Sequence, residues 1–309
     1  MLLISEACKR YGQTVALDHC SLEVHPREWL GLLGPNGAGK TSLIRAIAGR
    51  VKLDGGTIAL FGQTLSGASG PDRQARSRLG VVPQEIALYP TLTARENLEV
   101  FAGLHGLGGA TRRERVEWAL TFTGLADRAE SRTATFSGGM KRRLNIACGV
   151  LHRPDLILLD EPTVGVDPQS RQRIWEMLAD LRSGGAALLL TTHQLDEAQQ
   201  LCDRIVIIDH GRSIASGTLH ELIAASIGSH HEVRLRVSGD AALLGALGHA
   251  AALRVEGTLL VGRIEDVSRD LPPLFASIGA AGGRVEEIQL TSPTLHSVFI
   301  ALTGRELRE

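Results

Sequence analysis

No apolar run in the 309 residues approaches the ~18–20 needed to cross a bilayer. The longest candidates are Ala186–Leu190 and Ala241–Leu253, and the second is broken by Gly245, Gly248 and His249. The opening stretch MLLISEACKR lacks a basic start and carries Glu6 early, so no signal peptide is expected. These absences predict a cytoplasmic chain, which a partner must hold if it works at a membrane. The four cysteines, Cys8, Cys20, Cys148 and Cys202, form no CxxC pair, which predicts four buried thiols in a reducing compartment. The 11 histidines show no metal-ligand spacing, and His230-His231 reads as linker. Formal net charge is −1, so no basic field points to nucleic acid. Repeats and low-complexity segments are lacking too.

What is present suits a soluble globular chain. Hydrophobic residues make up 43%, enough over this length to bury a sizeable core. From Ile4 to Leu33 short apolar strands alternate with turns, and the glycine-rich run Gly34-Pro35-Asn36-Gly37-Ala38-Gly39-Lys40-Thr41 follows. The stretch Ser42–Gly49 then reads as a helix, and strand, glycine loop and helix in that order open an α/β nucleotide fold. The runs Leu156–Leu159, Ala186–Thr191 and Ile205–Ile208 are continuously apolar, as expected of strands covered on both faces of a parallel sheet. Ala94–Leu151 reads as mostly helical.

Near Ala224–His231 the pattern lapses into small and polar residues. The domain boundary is placed there, giving domains 1–228 and 229–309. Beyond it, Val233, Leu235 and Val237 alternate with charges as in a half-buried strand. Leu253–Gly262 reads as a hairpin turning at Glu256-Gly257-Thr258, Asp270 before Leu271-Pro272-Pro273 as a helix start, and Val285–Leu290 as another strand. Ser292 is expected to cap a last helix with Pro293 in its first turn. Leu295, Val298, Phe299 and Leu302 would form the buried face of that helix, and Gly304 would end it. The tail is thus a small α+β domain.

The glycine loop carries the strongest chemical signal. Its glycines let the backbone approach phosphates closely, and its N–H groups cradle an anion at a helix start. Lys40 supplies a point charge to the β- and γ-phosphates, and Thr41 offers a hydroxyl to Mg²⁺. The apolar strand ending in Asp160-Glu161 delivers two carboxylates to the edge where open parallel sheets bind ligands. Asp160 suits Mg²⁺ and Glu161 suits a base for the attacking water. Alone, such acids often mark only a strand reaching solvent; beside a phosphate loop they read as functional.

Phe136-Ser137-Gly138-Gly139-Met140 resembles the signature motif of ABC ATPases, usually LSGGQ, and precedes the acid-bearing strand. Gln84, in Val81-Val82-Pro83-Gln84, is similar to the Q-loop of that family, Val164-Gly165-Val166-Asp167-Pro168 to the D-loop, and Thr191-Thr192-His193 to the switch histidine. Tyr11, followed by Val15-Ala16-Leu17, is similar to the aromatic A-loop. Alone, each of these side chains is more often surface or packing; in concert they cover about residues 2–222. Phe136 and Met140 depart from the family's usual Leu and Gln, and Ser42 stands where Thr is frequent. Met140 removes an amide from the signature.

The resemblance implies an α/β P-loop NTPase of ABC ATPase type, with a RecA-like core, an antiparallel β subdomain and a helical subdomain, followed by the small α+β domain. It implies ATP and Mg²⁺ as cofactors. Tyr11, residues 34–42 (Gly34, Pro35, Asn36, Gly37, Ala38, Gly39, Lys40, Thr41 and Ser42), Ser137, Gly138, Gly139 and Asp167 would bind the nucleotide. Thr41, Gln84 and Asp160 would bind the metal, and Glu161, His193, Lys40 and Gln84 would carry catalysis. It further implies a head-to-tail homodimer in which each signature closes over the other's ATP. Transmembrane permease subunits would hold this dimer on the inner face of the cell membrane, with Leu88–Thr93 as the expected contact. The tail resembles the C-terminal extension of the drug-export branch, which includes the daunorubicin-resistance ATPases and exporters of polysaccharides and lipo-oligosaccharides. Ser292-Pro293-Thr294-Leu295, Val298-Phe299 and Leu302-Thr303-Gly304-Arg305 carry that likeness. In that branch the extension implies a part in dimerisation and regulation.

The expected function is the ATP-hydrolysing motor of an exporter. The rival is a soluble ATP switch of the same fold acting in assembly, translation or DNA repair. Against it stand a single ATPase domain and no coiled-coil insertion. The basic clusters Arg112-Arg113-Arg115 and Lys141-Arg142-Arg143 are expected to be solvated helix faces.

Overall fold

The computed structural model describes residues 1–66, 70–228, 230–238, 253–256 and 259–304. The chain divides into two compact units, the first spanning Met1–Thr218 and the second beginning at Leu219.

In the first unit, β1 (Leu2–Tyr11) and β2 (Thr14–Val24) form a hairpin. It is followed by β3 (Trp29–Leu33), α1 (Lys40–Ile47), β4 (Gly55–Leu60), β5 (Gln63–Thr64), α2 (Gly70–Arg76) and β6 (Leu79–Val82). Strands β2, β1, β4 and β5 lie in that order in an antiparallel sheet. Next come α3 (Ala94–Leu104), α4 (Gly109–Thr123), α5 (Gly138–Val150), β7 (Leu156–Asp160), α6 (Pro168–Ser183), β8 (Ala187–Thr192), α7 (Leu195–Leu201), β9 (Arg204–Asp209) and β10 (Arg212–Gly217). The second sheet has the order β10-β9-β3-β8-β7-β6, parallel except for its edge strand β10.

The apolar runs become central strands because both their faces are covered. Every residue of β3, β7 and β8 is buried. Each buried Leu or Ile side chain there is worth about 1.5–3 kcal/mol, so the middle of this sheet is the rigid part of the fold. Register then places the motifs. Asp160 pairs with Thr191, Leu33 with Thr192, and Leu159 with Val82. The glycine loop, the two carboxylates, Gln84 and His193 therefore leave neighbouring strands at one edge of the sheet. Thr93 and Glu96 cap the start of α3 reciprocally, and α3, α4 and α5 share a core that includes Leu98, Leu120, Leu144 and Phe136.

The second unit contains α8 (Leu219–Ser226) and the strands β11 (His231–Ser238), β12 (Arg254–Glu256), β13 (Leu259–Ile264) and β14 (Arg284–Thr291). They form a sheet of order β12-β13-β11-β14. Val233, Leu235 and Val237 point into its core, as their alternation predicts. β12 and β13 pair antiparallel, as the hairpin reading expects, but the turn residues Gly257 and Thr258 lie outside the described residues, as do Ala241–Ala252 and Arg305.

Several expectations are corrected. The unit boundary precedes α8 rather than following Gly228, because α8 packs with the closing helix Leu295–Thr303. His231 opens β11 and is not linker. The helix after β13 spans Val267–Ala280 and is capped by Asp266, which accepts from the backbone N–H groups of Ser268 and Arg269. Asp270 instead accepts from Glu265 and Asp266 N–H, so Pro272 and Pro273 sit inside the helix. The closing helix is capped by Thr294, not Ser292, whose hydroxyl meets His231 Nδ1. Leu295, Val298 and Phe299 are buried as expected, but Leu302 is 37% exposed. Of the cysteines, Cys20 and Cys148 are buried and Cys8 and Cys202 only partly so. The basic clusters are not uniformly solvated. Arg115 is buried over the Trp118 ring with Nε donating to the Leu151 carbonyl, and Arg142 is buried as well.

Candidate nucleotide site

The glycine loop runs from the end of β3 to the first residue of α1. Gly39 caps α1 at φ 109°, and a Cβ there would sit 2.3 Å from the Ala16 carbonyl oxygen on β2, so only glycine lets the loop approach that strand. Lys40 is 5% exposed. Its Nζ donates to the carbonyls of Gly34 at 2.7 Å and Pro35 at 3.1 Å, and lies 3.7 Å from Glu161 Oε1. Burial pushes the ammonium pKa down, and the negative charges of Glu161 and Asp160 oppose that.

Asp160 Oδ1 accepts from Thr191 Oγ1 at 2.7 Å and Thr41 Oγ1 at 3.4 Å. Glu161 adopts φ 48°, a left-handed backbone that a residue with a side chain rarely takes. Its N–H is shared between the carbonyl and hydroxyl oxygens of Thr191. Its carboxylate accepts from Gln84 Nε2 at 3.1 Å. His193 Nδ1 stands 3.2 Å from Glu161 Oε1, close but not aligned for a hydrogen bond. Strand ends far apart in sequence thus bring Lys40, Gln84, Glu161 and His193 into one cluster, with Thr41 and Asp160 beside it.

A cleft of about 280 Å³ opens over this cluster, lined by residues 36–42 with Thr14, Ala16, Gln84 and Glu161. Its walls combine loop backbone, one ammonium, hydroxyls and the Glu161 carboxylate, the chemistry that suits a phosphate chain with a hard cation. Tyr11 pairs with Thr14 across the β1–β2 hairpin, and its ring is 44% exposed beside that wall. A larger cavity of about 500 Å³ lies at the start of β7, lined by Arg115, Trp118 and Phe122 among others, and includes neither the glycine loop nor Gln84 or Glu161.

The signature lies elsewhere in the chain. Ser137 caps α5, its hydroxyl accepting from Met140 N–H at 3.2 Å, and lines a separate cavity with Met140, Arg143 and Ser170. A Cβ on Gly139 would sit 2.1 Å from Ser170 Oγ, so the start of α5 and the start of α6 touch through this glycine. Met140 packs its side chain against the helical core. Asp167 caps α6, and the Ser170 N–H that it accepts holds its carboxyl below the usual range. Ser137, Gly138, Gly139 and Asp167 do not line the cleft over Lys40, so the structure does not bring the signature to the glycine loop of its own chain.

Sequence reasoning missed Arg142, Thr191 and Glu197. Arg142, Asn145, Ile146 and Gly149, all buried, recur at i, i+3, i+4 and i+7 of α5, a spacing that marks a core-facing row even when it begins with a charge. Glu197, 1% exposed, accepts from Thr163 Oγ1 and Trp175 Nε1.

The ABC transporter family profile matches residues 17–164. The linearmycin resistance ATP-binding protein of Bacillus subtilis is 39% identical over the full length of both chains. A Nod factor export ATP-binding protein I of Cupriavidus metallidurans is 42% identical, over 97% of this chain and 96% of its own. A daunorubicin resistance ATP-binding protein of Streptomyces coeruleorubidus is 38% identical, over 99% of this chain and 97% of its own. Among solved structures, an ATP-binding subunit of an ABC transporter superposes with a TM-score of 0.66 at 33% identity, covering 73% of this chain and 92% of that one. A dimeric ATP-binding cassette in a post-hydrolysis state, bound to ADP and Pi, superposes with a TM-score of 0.64 at 25% identity, covering 71% and 98%. With relatives of this likeness along its whole length and the glycine-loop cleft at the edge of its parallel sheet, the chain belongs to the ABC transporter family, as one of its ATP-hydrolysing, ATP-binding subunits.

Proposed function

We propose that this chain is the motor of an exporter, working as a head-to-tail dimer on separate transmembrane subunits at the inner face of the membrane. The observation that supports it most directly is the cluster of Lys40, Gln84 and His193 around the Glu161 carboxylate. The cargo class is read from the names of the relatives, two of which are named for resistance to linearmycin and to daunorubicin and one for Nod factor export. No helix among the described residues is long and apolar enough to cross a membrane.

In this reading Lys40 leaves the carbonyls of Gly34 and Pro35 for the β- and γ-phosphates, and the loop N–H groups hold the rest of the chain. The adenine stacks on the exposed ring of Tyr11. The Thr41 hydroxyl and buried Asp160 carboxylate, adjacent at 3.4 Å, form a hard-oxygen set that suits Mg²⁺, with the Gln84 amide as a third ligand. Mg²⁺ held there would neutralise charge on the phosphates. Glu161 takes the proton of the attacking water, Gln84 orients that water, and His193 donates to the γ-phosphate. The partner subunit's Ser137 and Gly139 complete the site, and hydrolysis releases the closed dimer.

Tyr89, 48% exposed in the segment after Gln84, is the proposed contact with the membrane subunits. Affinity purification of the tagged chain from detergent-solubilised membranes tests the reading. A multi-helix membrane protein at comparable stoichiometry is expected, and Tyr89→Asp should lose transport while sparing basal ATPase. A chain recovered only with soluble partners would overturn the exporter reading in favour of a soluble ATP switch.

A further inference from the structure

Arg142 lies on α5, the helix whose start carries the signature, and is 3% exposed. Its guanidinium has five N–H donors, and backbone carbonyls take all of them. Nε donates to Pro162 at 2.7 Å. Nη1 donates to Pro83 at 2.9 Å and Gln84 at 2.7 Å, and Nη2 to Asp160 at 3.0 Å and to Glu161. One side chain thus grips the turn that follows β6 and the turn that follows β7. Burial brings its pKa down to about 10, which leaves it charged at neutral pH.

The gripped turn is the one in which Glu161 takes its left-handed backbone. Such a conformation persists where the surroundings over-determine it. Here three consecutive carbonyls, those of Asp160, Glu161 and Pro162, are held by Arg142. The Glu161 N–H is held by Thr191, and the Thr163 hydroxyl donates to buried Glu197 at 2.8 Å. The peptide groups are committed on every side, and the Glu161 carboxylate is left reaching Gln84, Lys40 and His193.

We propose that Arg142 is a positioning residue for hydrolysis: it holds the Glu161 turn in its left-handed form and ties that turn, with Gln84, to the signature helix. The consequence is communication between the two sites of a head-to-tail pair. The start of α5 closes over the partner subunit's ATP, while Arg142 on the same helix sets the water-activating carboxylate of its own site. Any shift of the signature helix on docking is thereby carried, through Arg142, to the Glu161 turn of the same chain. The proposal rests on the reading of Glu161 as the group that activates water.

The test uses the full chain, with Arg142→Lys and Arg142→Gln made alone and combined with Glu161→Gln. Lysine keeps the charge but, as a point donor, cannot serve five carbonyls. Turnover, KM for ATP and Mg-ATP affinity by calorimetry are read separately. Expected is a fall in kcat of about 10–100-fold for Arg142→Lys, with KM and affinity within about 3-fold of the parent. With glutamine at 161 the same change should cost less than about 3-fold, because the carboxylate that it positions is already gone. Equal losses in both backgrounds, full turnover in Arg142→Lys, or a loss of affinity as large as the loss of turnover would each overturn the proposal. If Arg142→Gln does not fold, Arg142→Lys decides alone. Near-parental turnover in Glu161→Gln by itself would overturn the underlying reading of Glu161, and the proposal with it.

Discussion

Replacing Glu161 by glutamine exchanges one carboxylate oxygen for an amide and leaves the side-chain shape unchanged. Its neighbours then decide what is lost. Glu161 Oε1 lies 3.7 Å from Lys40 Nζ in a buried site. At an effective dielectric of about 20 that attraction is about 4 kcal/mol before the desolvation of both groups is subtracted. In the nucleotide-free chain the amide forfeits it, so the melting temperature of the free protein should fall. A bound triphosphate replaces the carboxylate as the partner of Lys40 and no longer faces the Glu161 charge. Affinity for Mg-ATP should therefore hold or rise, and ATP should raise the melting temperature of the mutant more than that of the parent. The amide cannot take a proton from water, and kcat should drop at least ~10²-fold, or about 2.7 kcal/mol of transition-state stabilisation. Steady-state phosphate release with kcat and KM resolved, together with calorimetry of Mg-ATP, checks each part. Near-normal kcat, or a raised KM with kcat unchanged, would refute the assignment of Glu161 to the chemical step.

Lys40→Ala removes the one ammonium of the cleft and should weaken ATP binding by at least ~10-fold by calorimetry, the scale of a charged hydrogen bond; unchanged affinity would contradict the phosphate role. In Gly139→Ala the new Cβ meets Ser170 Cβ at 2.5 Å as well as Oγ, so the start of α5 must shift. ATPase activity should fall ~10-fold or more while ATP affinity changes little, and adding Ser170→Gly should restore it; no rescue would show that the clash is not the cause. His152 is stacked on His105 with its Nε2 at the Leu79 carbonyl, and burial first, then His105, pulls its pKa down to about 4. A folded pKa below the unfolded ~6.5 means that the native state favours the neutral ring. Stability should thus be full above pH ~6.5 and fall by roughly 2–3 kcal/mol as pH drops towards 4. Urea midpoints across that range should show the slope, and His152→Gln should flatten it.

Much of the site was readable because its parts are local. The glycine loop, the apolar strand ending in two acids and the signature each carry their geometry within a few consecutive residues. The arrival of the glycine loop and the two acids at one sheet edge follows from parallel strands whose C-terminal ends align. The caps were less readable. Asp266 and Asp270 both precede helical residues, as do Ser292 and Thr294, and only the packing of the helix decides which oxygen meets free N–H groups. The boundary at Leu219 was missed for a related reason. The helix α8 is contiguous with the ATPase unit in sequence, yet its apolar side meets the closing helix of the second unit.

By itself the sequence pointed to the groups proposed to meet phosphate, metal and water, since those roles belong to residue types at short spacings on elements whose pattern is local. Tertiary structure alone decided which charges stay in solvent and which are spent inside. Arg142 reads as one of three consecutive basic residues, but its five acceptors lie 18 to 59 residues away on two other strand ends. Glu161 reads as the last acid of a strand, but its backbone is left-handed and its peptide is held by groups distant in sequence. Short-range pattern cannot encode contacts of that separation; they form when the sheet and the signature helix pack together.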